Sequence, residues 1–275
     1  MPSLRALAIL ATYNEQRFIR ACLENLIRQG LDVYLIDNES TDQTRAIAQD
    51  YVGRGLIGIE SLARNGVYRW ETILRRKVEI AQASDHDWCM HVDADEIRLP
   101  PPPFRTLREA IRHIDSAGYN AANFIELCFV PTREEPDHDH PGFQETMRWY
   151  YPFRPAPHHR LTLWKRQDAA PDLAASGGHR IAFPQMRISP TDFPMRHYLF
   201  LSIEHAKEKW VDRSYAPEEL QRGWHRARAG LRASDIGLQS RDELRLYRSD
   251  GELDCSYPLQ SHPVFARPAP RGPRT

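Results

Sequence analysis

Leu7-Ala8-Ile9-Leu10-Ala11-Thr12-Tyr13-Asn14-Glu15 is the stretch that sets the architecture. Its first five residues are apolar without alternation, the pattern of a strand buried on both faces, as in a parallel sheet covered by helices. Asn14 then stands where a helix cap is expected. Phe18, Ile19, Cys22, Leu23, Leu26 and Ile27 follow at three- and four-residue spacing, one apolar stripe on a helix. Gly30 is a natural stop for that helix. Val33-Tyr34-Leu35-Ile36 repeats the buried-strand pattern, and Ser40-Thr41-Asp42 opens a second helix expected to run through Ile47 to Val52. Leu56–Ile59 reads as a third strand, Tyr68–Ala83 as a helix, Trp88–Val92 as a fourth strand, Phe104–Ala117 as a helix and Asn123–Val130 as a fifth strand. Strands separated by helices imply right-handed crossovers and a mainly parallel α/β sheet. Ligands on such sheets bind beyond the carboxyl ends of the strands, so the loops after Ala11, Ile36 and Val92 are where chemistry is expected.

The second half reads differently. Residues 131–160 are rich in Pro, His, aromatic and acidic residues with little periodicity, which suggests an irregular insertion over a site. Leu161–Trp164 and Arg196–Leu199 look like strands; Ile203–Val211 and Pro217–Leu231 look helical. The expected organisation is a single domain over residues 1–265, with a nucleotide-binding half (1–130), an acceptor- and metal-completing half (131–265) and a flexible tail at 266–275.

The whole chain has 275 residues, with 37 basic and 37 acidic side chains, so its formal net charge is zero. Its 33 arginines are scattered among acids rather than gathered in a patch, which argues against nucleic acid as a partner. No apolar run approaches the roughly 18 residues of a membrane helix, and Met1-Pro2-Ser3-Leu4-Arg5 lacks secretory-signal architecture. Cys22, Cys89, Cys128 and Cys255 lie far apart without a CxxC. Reduced thiols are the simplest reading. The expected location is cytoplasmic, with the inner face of the membrane as a peripheral alternative. Gly53-Arg54-Gly55-Leu56-Ile57-Gly58 fits GxGxxG formally, but a helix precedes it and a strand follows, the reverse of a dinucleotide fingerprint.

The sharpest chemical signal is Val92-Asp93-Ala94-Asp95-Glu96. In extended backbone Asp93 and Asp95 point to one side. Two neighbouring carboxylates repel unless a cation joins them, and a hard divalent ion with oxygen ligands does so while also holding a diphosphate. A bare pair of this kind is usually an acidic turn; its place at the end of a buried strand favours metal. Asp37, at the end of the second strand, can accept hydrogen bonds from a nucleoside, while Ser40 and Asp42 suit turn and cap roles. Glu15 either faces the same crevice or complements a helix dipole.

Together, Ala11-Thr12-Tyr13-Asn14-Glu15, Ile36-Asp37-Asn38-Glu39-Ser40-Thr41-Asp42 and Asp93-Ala94-Asp95 resemble, in order and spacing, the nucleotide-sugar-dependent glycosyltransferases of family 2, over roughly the first 130 residues. The resemblance implies a GT-A fold, with a Rossmann-like sheet flanked by helices, an irregular insertion and a C-terminal helical segment. It implies nucleotide contacts from Thr12, Tyr13, Glu15 and Asp37, with Arg64 either joining them or lying in a surface turn. It implies Mn²⁺ or Mg²⁺ on Asp93 and Asp95, completed by a late histidine: His197, with His179 as rival. Imidazole ligation would tilt the choice to Mn²⁺. Asn38 departs from the family, where many members have Asp. A carboxylate base is expected for inverting chemistry, and Asp137 and Asp139 are candidates, although Asp137-His138-Asp139-His140 could also bind zinc. Trp149, Tyr150, Tyr151 and Phe153 are candidate acceptor contacts or core residues. The implied activity is sugar transfer from a nucleoside-diphosphate sugar to a glycan or small-molecule acceptor, in cell-surface glycan or polysaccharide synthesis. A nucleotidyltransferase is disfavoured because Thr12–Glu15 is neither glycine-rich nor basic; a non-catalytic nucleotide-sugar-binding module on the same fold is the third reading.

Overall fold

The computed structural model describes residues 4–225 and 228–265. The tail expected at 266–275 lies outside the described residues. Strand β1 (Ala6–Thr12) leads to α1 (Ile19–Arg28), β2 (Asp32–Asp37), α2 (Thr44–Gln49), β3 (Leu56–Ser61), α3 (Trp70–Ala83) and β4 (Trp88–Asp93). Then come β5 (Glu96–Arg98), α4 (Leu107–Ser116), β6 (Ala121–Phe129), α5 (Phe143–Thr146), β7 (Trp149–Phe153), β8 (Arg160–Lys165) and β9 (Phe193–Tyr198). Helix α6 (Ile203–Ala206) continues as a π-helical turn over Lys207–Val211, followed by α7 (Pro217–Gln221) and the short β10 (Arg245–Leu246).

The strand order is β10-β7-β6-β8-β4-β1-β2-β3, with β9 beside β6 and β5 beside β9. From β4 to β3 every pair is parallel, as the apolar runs predict. Beyond β4 the sheet continues through antiparallel pairs, β4 with β8, β8 with β6 and β6 with β7, while β6 with β9 is parallel. The expected stripe of α1 packs inward: Ile19, Cys22, Leu23 and Leu26 are fully buried against Ala8, Leu10 and Val33 of the sheet. Each such aliphatic side chain contributes about 1.5–3 kcal/mol of burial. Helix α4 starts at a capping box in which Thr106 and Glu109 satisfy each other's backbone N–H groups.

Three local expectations change. Asn14 does not cap α1. It adopts a left-handed φ of 57° and clasps the β2 loop: its N–H donates to Ser40 Oγ, and its side-chain oxygen accepts from the Thr41 N–H. Helix α2 is shorter than expected because Asp42 accepts from the Thr44 N–H and starts it there. Residues 131–160 are not a mere loop. Trp149–Phe153 forms β7, and Tyr150 and Tyr151 are buried in the core, so of that aromatic group Phe153 alone lines the cavity described next.

Candidate active site

Sheet register builds the site. Thr12 pairs with Asp37, and Ala11 with Asp93, so the ends of β1, β2 and β4 finish level with one another. They open into a cavity of about 800 Å³. The loops after β1 and β2 are locked together: the Glu15 N–H donates to Thr44 Oγ1 and the Gln16 N–H to Asp42. This clasp explains why the two loop motifs occur together in the sequence.

At the ends of β1 and β2, Thr12, Tyr13, Glu15 and Asn38 line the cavity. Thr12 Oγ1 and Asn38 Oδ1 are buried and have no hydrogen-bond partner, while Asn38 Nδ2 donates to the Leu62 carbonyl at 2.9 Å. Unsatisfied buried polar atoms are costly unless a ligand completes them. The Arg64 guanidinium stacks 3.6 Å from the centroid of the Tyr13 ring, making one wall stiff and cationic. Asp37 sits one layer below, 2% exposed, facing the Ser40 N–H and Arg45. It shapes the loop instead of lining the cavity, and the departure at Asn38 supplies the group that does line it.

Asp93 and Asp95 both line the cavity, but a turn at Ala94–Asp95, rather than strand pleat, brings them together. β5 folds back to pair with β9, setting Glu96 opposite His197, and the Tyr198 N–H donates to the Asp95 carbonyl at 2.9 Å. Asp95 thereby meets His197 Nε2 at 3.2 Å and Lys209 from the π-helical turn. Burial works against the Asp95 carboxylate, yet Lys209 and His197 overcome it and hold its pKa well below the usual range. His197 Nδ1 contacts Glu126 at 2.5 Å, and the two carboxylates raise the imidazole to about 9 against burial. Both ring nitrogens face carboxylates, and His197 lines the cavity beside Asp95. His179 lines the same cavity, where its ring stacks on His159 at 4.6 Å and its Nδ1 faces Arg160.

Asp93 is treated differently. Burial, with Glu96 and Asp95 adding, pushes its pKa up, and Lys77 at 3.8 Å only partly offsets this. Lys77 is fully buried, donates to His91 Nδ1 at 2.7 Å and to the Val92 carbonyl at 2.8 Å, and is lowered by burial to about 8. Glu15 is pushed by burial, with Asp95 and Asp93 adding, up to about 7. Hard oxygen donors short of positive charge are what a divalent cation fits; Asp93 and Glu15 are such donors, beside the ionised Asp95.

A second buried group, Glu126, Cys128 and His197, also lies within ligand reach of one ion. Arg160 already grips Glu126 through two hydrogen bonds of 2.6 and 2.9 Å, so this cluster is an ion-pair network and not a vacant metal cage. Asp137 and Asp139 do not line the cavity. Asp139 is bound by Arg17 at 2.8 Å, and Asp137 accepts from the Asp139 N–H. A local turn and this surface ion pair hold them outside the cavity lining.

Residues 8–167 match the sequence profile of glycosyl transferase family 2, more than half of the chain. The chain belongs to glycosyltransferase family 2. It is 28% identical over 118 residues to the lipopolysaccharide core biosynthesis glycosyltransferase LpsC of Rhizobium meliloti (strain 1021), covering 43% of this chain and 40% of that relative's length. Among solved structures, S. aureus TarS 1–349 in complex with UDP-GlcNAc is similar at 21% identity, over 47% of this chain and 35% of that one, with a TM-score of 0.32. Mannosyltransferase PcManGT from Pyrobaculum calidifontis, in complex with GDP-Man and Mn²⁺, is similar at 18% identity, over 82% and 62%, with a TM-score of 0.45. The family match ends at residue 167, whereas Phe153, His159, His179, Lys209, Arg213, Trp224, Arg228 and His262 complete the cavity mostly from beyond it. Of these, Phe153 and His179 stood out in the sequence, whereas the others, with Lys77 and Glu126, carry little local signal. Among those others, a lysine on the apolar face of α3 was the one visible clue.

Proposed function

We propose that this family member is a divalent-metal-dependent glycosyltransferase that moves a sugar from a nucleoside-diphosphate donor to an acceptor in cell-surface glycan synthesis. The observation that carries the reading is a single cavity that joins two undercharged carboxyl groups, Asp93 and Glu15, to two orphaned polar atoms, Thr12 Oγ1 and Asn38 Oδ1. The orphaned atoms suit a nucleoside; the carboxylates suit the cation of its diphosphate. Asp93 and Asp95 would hold that ion, whose charge offsets the negative charge building on the leaving diphosphate. Lys209 and His197 fix Asp95, Lys77 fixes the end of β4, and Arg64 stacked on Tyr13 forms a flat wall for a base.

Residues 1–265 are proposed to act as one unit, because β4 and β8 join the two halves through one ladder. The name of the R. meliloti relative supports a cell-surface glycan as the product. No helix among the described residues is long and apolar enough to cross a membrane, and the four free cysteines suit a reducing, cytoplasmic setting at or near the membrane face. Asp95→Ala is expected to abolish divalent-dependent release of nucleoside diphosphate from the donor while the circular dichroism spectrum persists. Undiminished release, or release of pyrophosphate from a nucleoside triphosphate instead, would overturn the reading.

A further inference from the structure

The cavity has a second lobe, away from the ends of β1 and β2. Its walls are aromatic and imidazole rings. His262 stacks on Phe153 at 3.7 Å, His159 meets the Phe153 edge at 5.5 Å, and His159 stacks on His179. Burial keeps these imidazoles neutral: His159 falls to about 4 and His262 to about 3, and His179 lies well below its ordinary value. Neutral imidazoles offer hydrogen bonds without charge. Positive charge in this lobe is mostly committed. Arg160 is held by Glu126, and His197 stands between Glu126 and Asp95.

Arg228 is the exception. It lines the cavity, and among the described residues no carboxylate pairs with it. Its guanidinium lies 5.6 Å from the centroid of Trp210, which Phe265 backs edge-on at 4.9 Å. An arginine held against an aromatic face, with no acid beside it, is a preorganised anion receptor, and its planar fork matches carboxylate or phosphate. Arg213 sits 4.8 Å from the Tyr68 centroid, where it interacts electrostatically with the Glu15 carboxylate and with Arg64. Arg228 acts electrostatically on His179 and His262, and together with Arg213 on Tyr68 and His225.

We propose that the histidine-lined lobe is the acceptor pocket and that its acceptor is an anionic saccharide, the carboxylate or phosphate docking on Arg228 while the ring lies against the Phe153–His262 pair. This rests on the glycosyltransferase reading and adds the acceptor's chemical class to it. The neutral ring walls give contact area to the apolar face of a sugar without a competing charge, and confinement between low-dielectric walls strengthens the attraction of the anion to Arg228.

The test is calorimetric titration of the full chain with glucuronic acid, glucose 6-phosphate, neutral methyl glucoside and inorganic phosphate, on wild type and Arg228→Gln. UDP and GDP with Mn²⁺ are titrated in parallel. One or both anionic sugars are expected to bind more tightly than methyl glucoside and inorganic phosphate, the better of the two identifying the acceptor's anion. Arg228→Gln should weaken that binding by roughly tenfold or more, the worth of a charge-assisted hydrogen bond, with nucleotide affinity retained. Absence of binding by either anionic sugar, equal binding of methyl glucoside or inorganic phosphate, or unchanged affinity in the variant would overturn the proposal. Equal weakening of nucleotide binding would also overturn it, by moving Arg228 to the donor's diphosphate. If neither UDP nor GDP binds the wild type, it is the transferase reading itself that fails.

Discussion

Glu15→Gln tests the charge balance of the cavity directly. Burial, with Asp95 and Asp93 adding and Lys209 opposing, moves this carboxyl from 4.5 up to about 7. Between those two pH values the folded chain keeps a proton that the unfolded chain has released. Stability therefore falls as pH rises through the window, and the full penalty stands above about 7. At about 1.4 kcal/mol per tenfold change, the displacement corresponds to roughly 3 kcal/mol. Glutamine keeps the shape and discards the charge, so the metal-free variant is expected to be more stable than wild type by about 1–3 kcal/mol near pH 8, with the curves converging towards pH 4.5. Urea unfolding across this range measures it. The same substitution should weaken Mn²⁺ binding, so saturating Mn²⁺ narrows the difference by stabilising wild type more. A variant no more stable than wild type at high pH, or a difference that does not vary with pH, would refute the reasoning.

Two other outcomes follow from the ion pairs. Arg160→Met strands Glu126 in the core, a loss of about 3–5 kcal/mol in unfolding free energy, and Arg160→Met combined with Glu126→Gln should recover part of it; strictly additive losses would contradict the pairing seen at 2.6 and 2.9 Å. Asp139→Ala removes only a surface partner of Arg17, so kcat and KM for nucleoside-diphosphate release should stay within about twofold and stability within about 1 kcal/mol; a drop on the order of a hundredfold would restore Asp139 as a base.

The parallel half of the fold was legible because strands buried on both faces read as unbroken apolar runs, and β1, β2, β3, β4 and β6 all appear near their expected places. β7 escaped notice because Pro152 interrupts its aromatic run, and β5 is only three residues long. The expected helix over Pro217–Leu231 ends at Gln221 and turns at Gly223, whose φ is 91°. In the candidate site, Asp93 and Asp95 stood out by their place after a buried strand, and Thr12, Tyr13 and Glu15 by the family resemblance; all five line the cavity. Their partners were not: Lys209 meets Asp95 across 114 residues, and Glu126 meets His197 across 71. Local sequence carries no record of such long-range pairing, so the two carboxylate neighbours of His197 were not foreseen.

The pairing of Trp88, Cys89 and Met90 with Lys165, Trp164 and Leu163 has a mechanical consequence. It ties the strands beneath the cavity into one stiff plate, with no hinge between the two halves of the sheet. Any narrowing of the cavity falls instead to the stretches around Arg213–His225 and Leu259–Phe265, which join the rest of the chain through isolated bridges, such as Tyr68 with Tyr215 and Phe153 with Leu259, and through side-chain pairs such as Arg222 with Glu71. The base of the cavity is thus fixed, and its mouth answers to side chains.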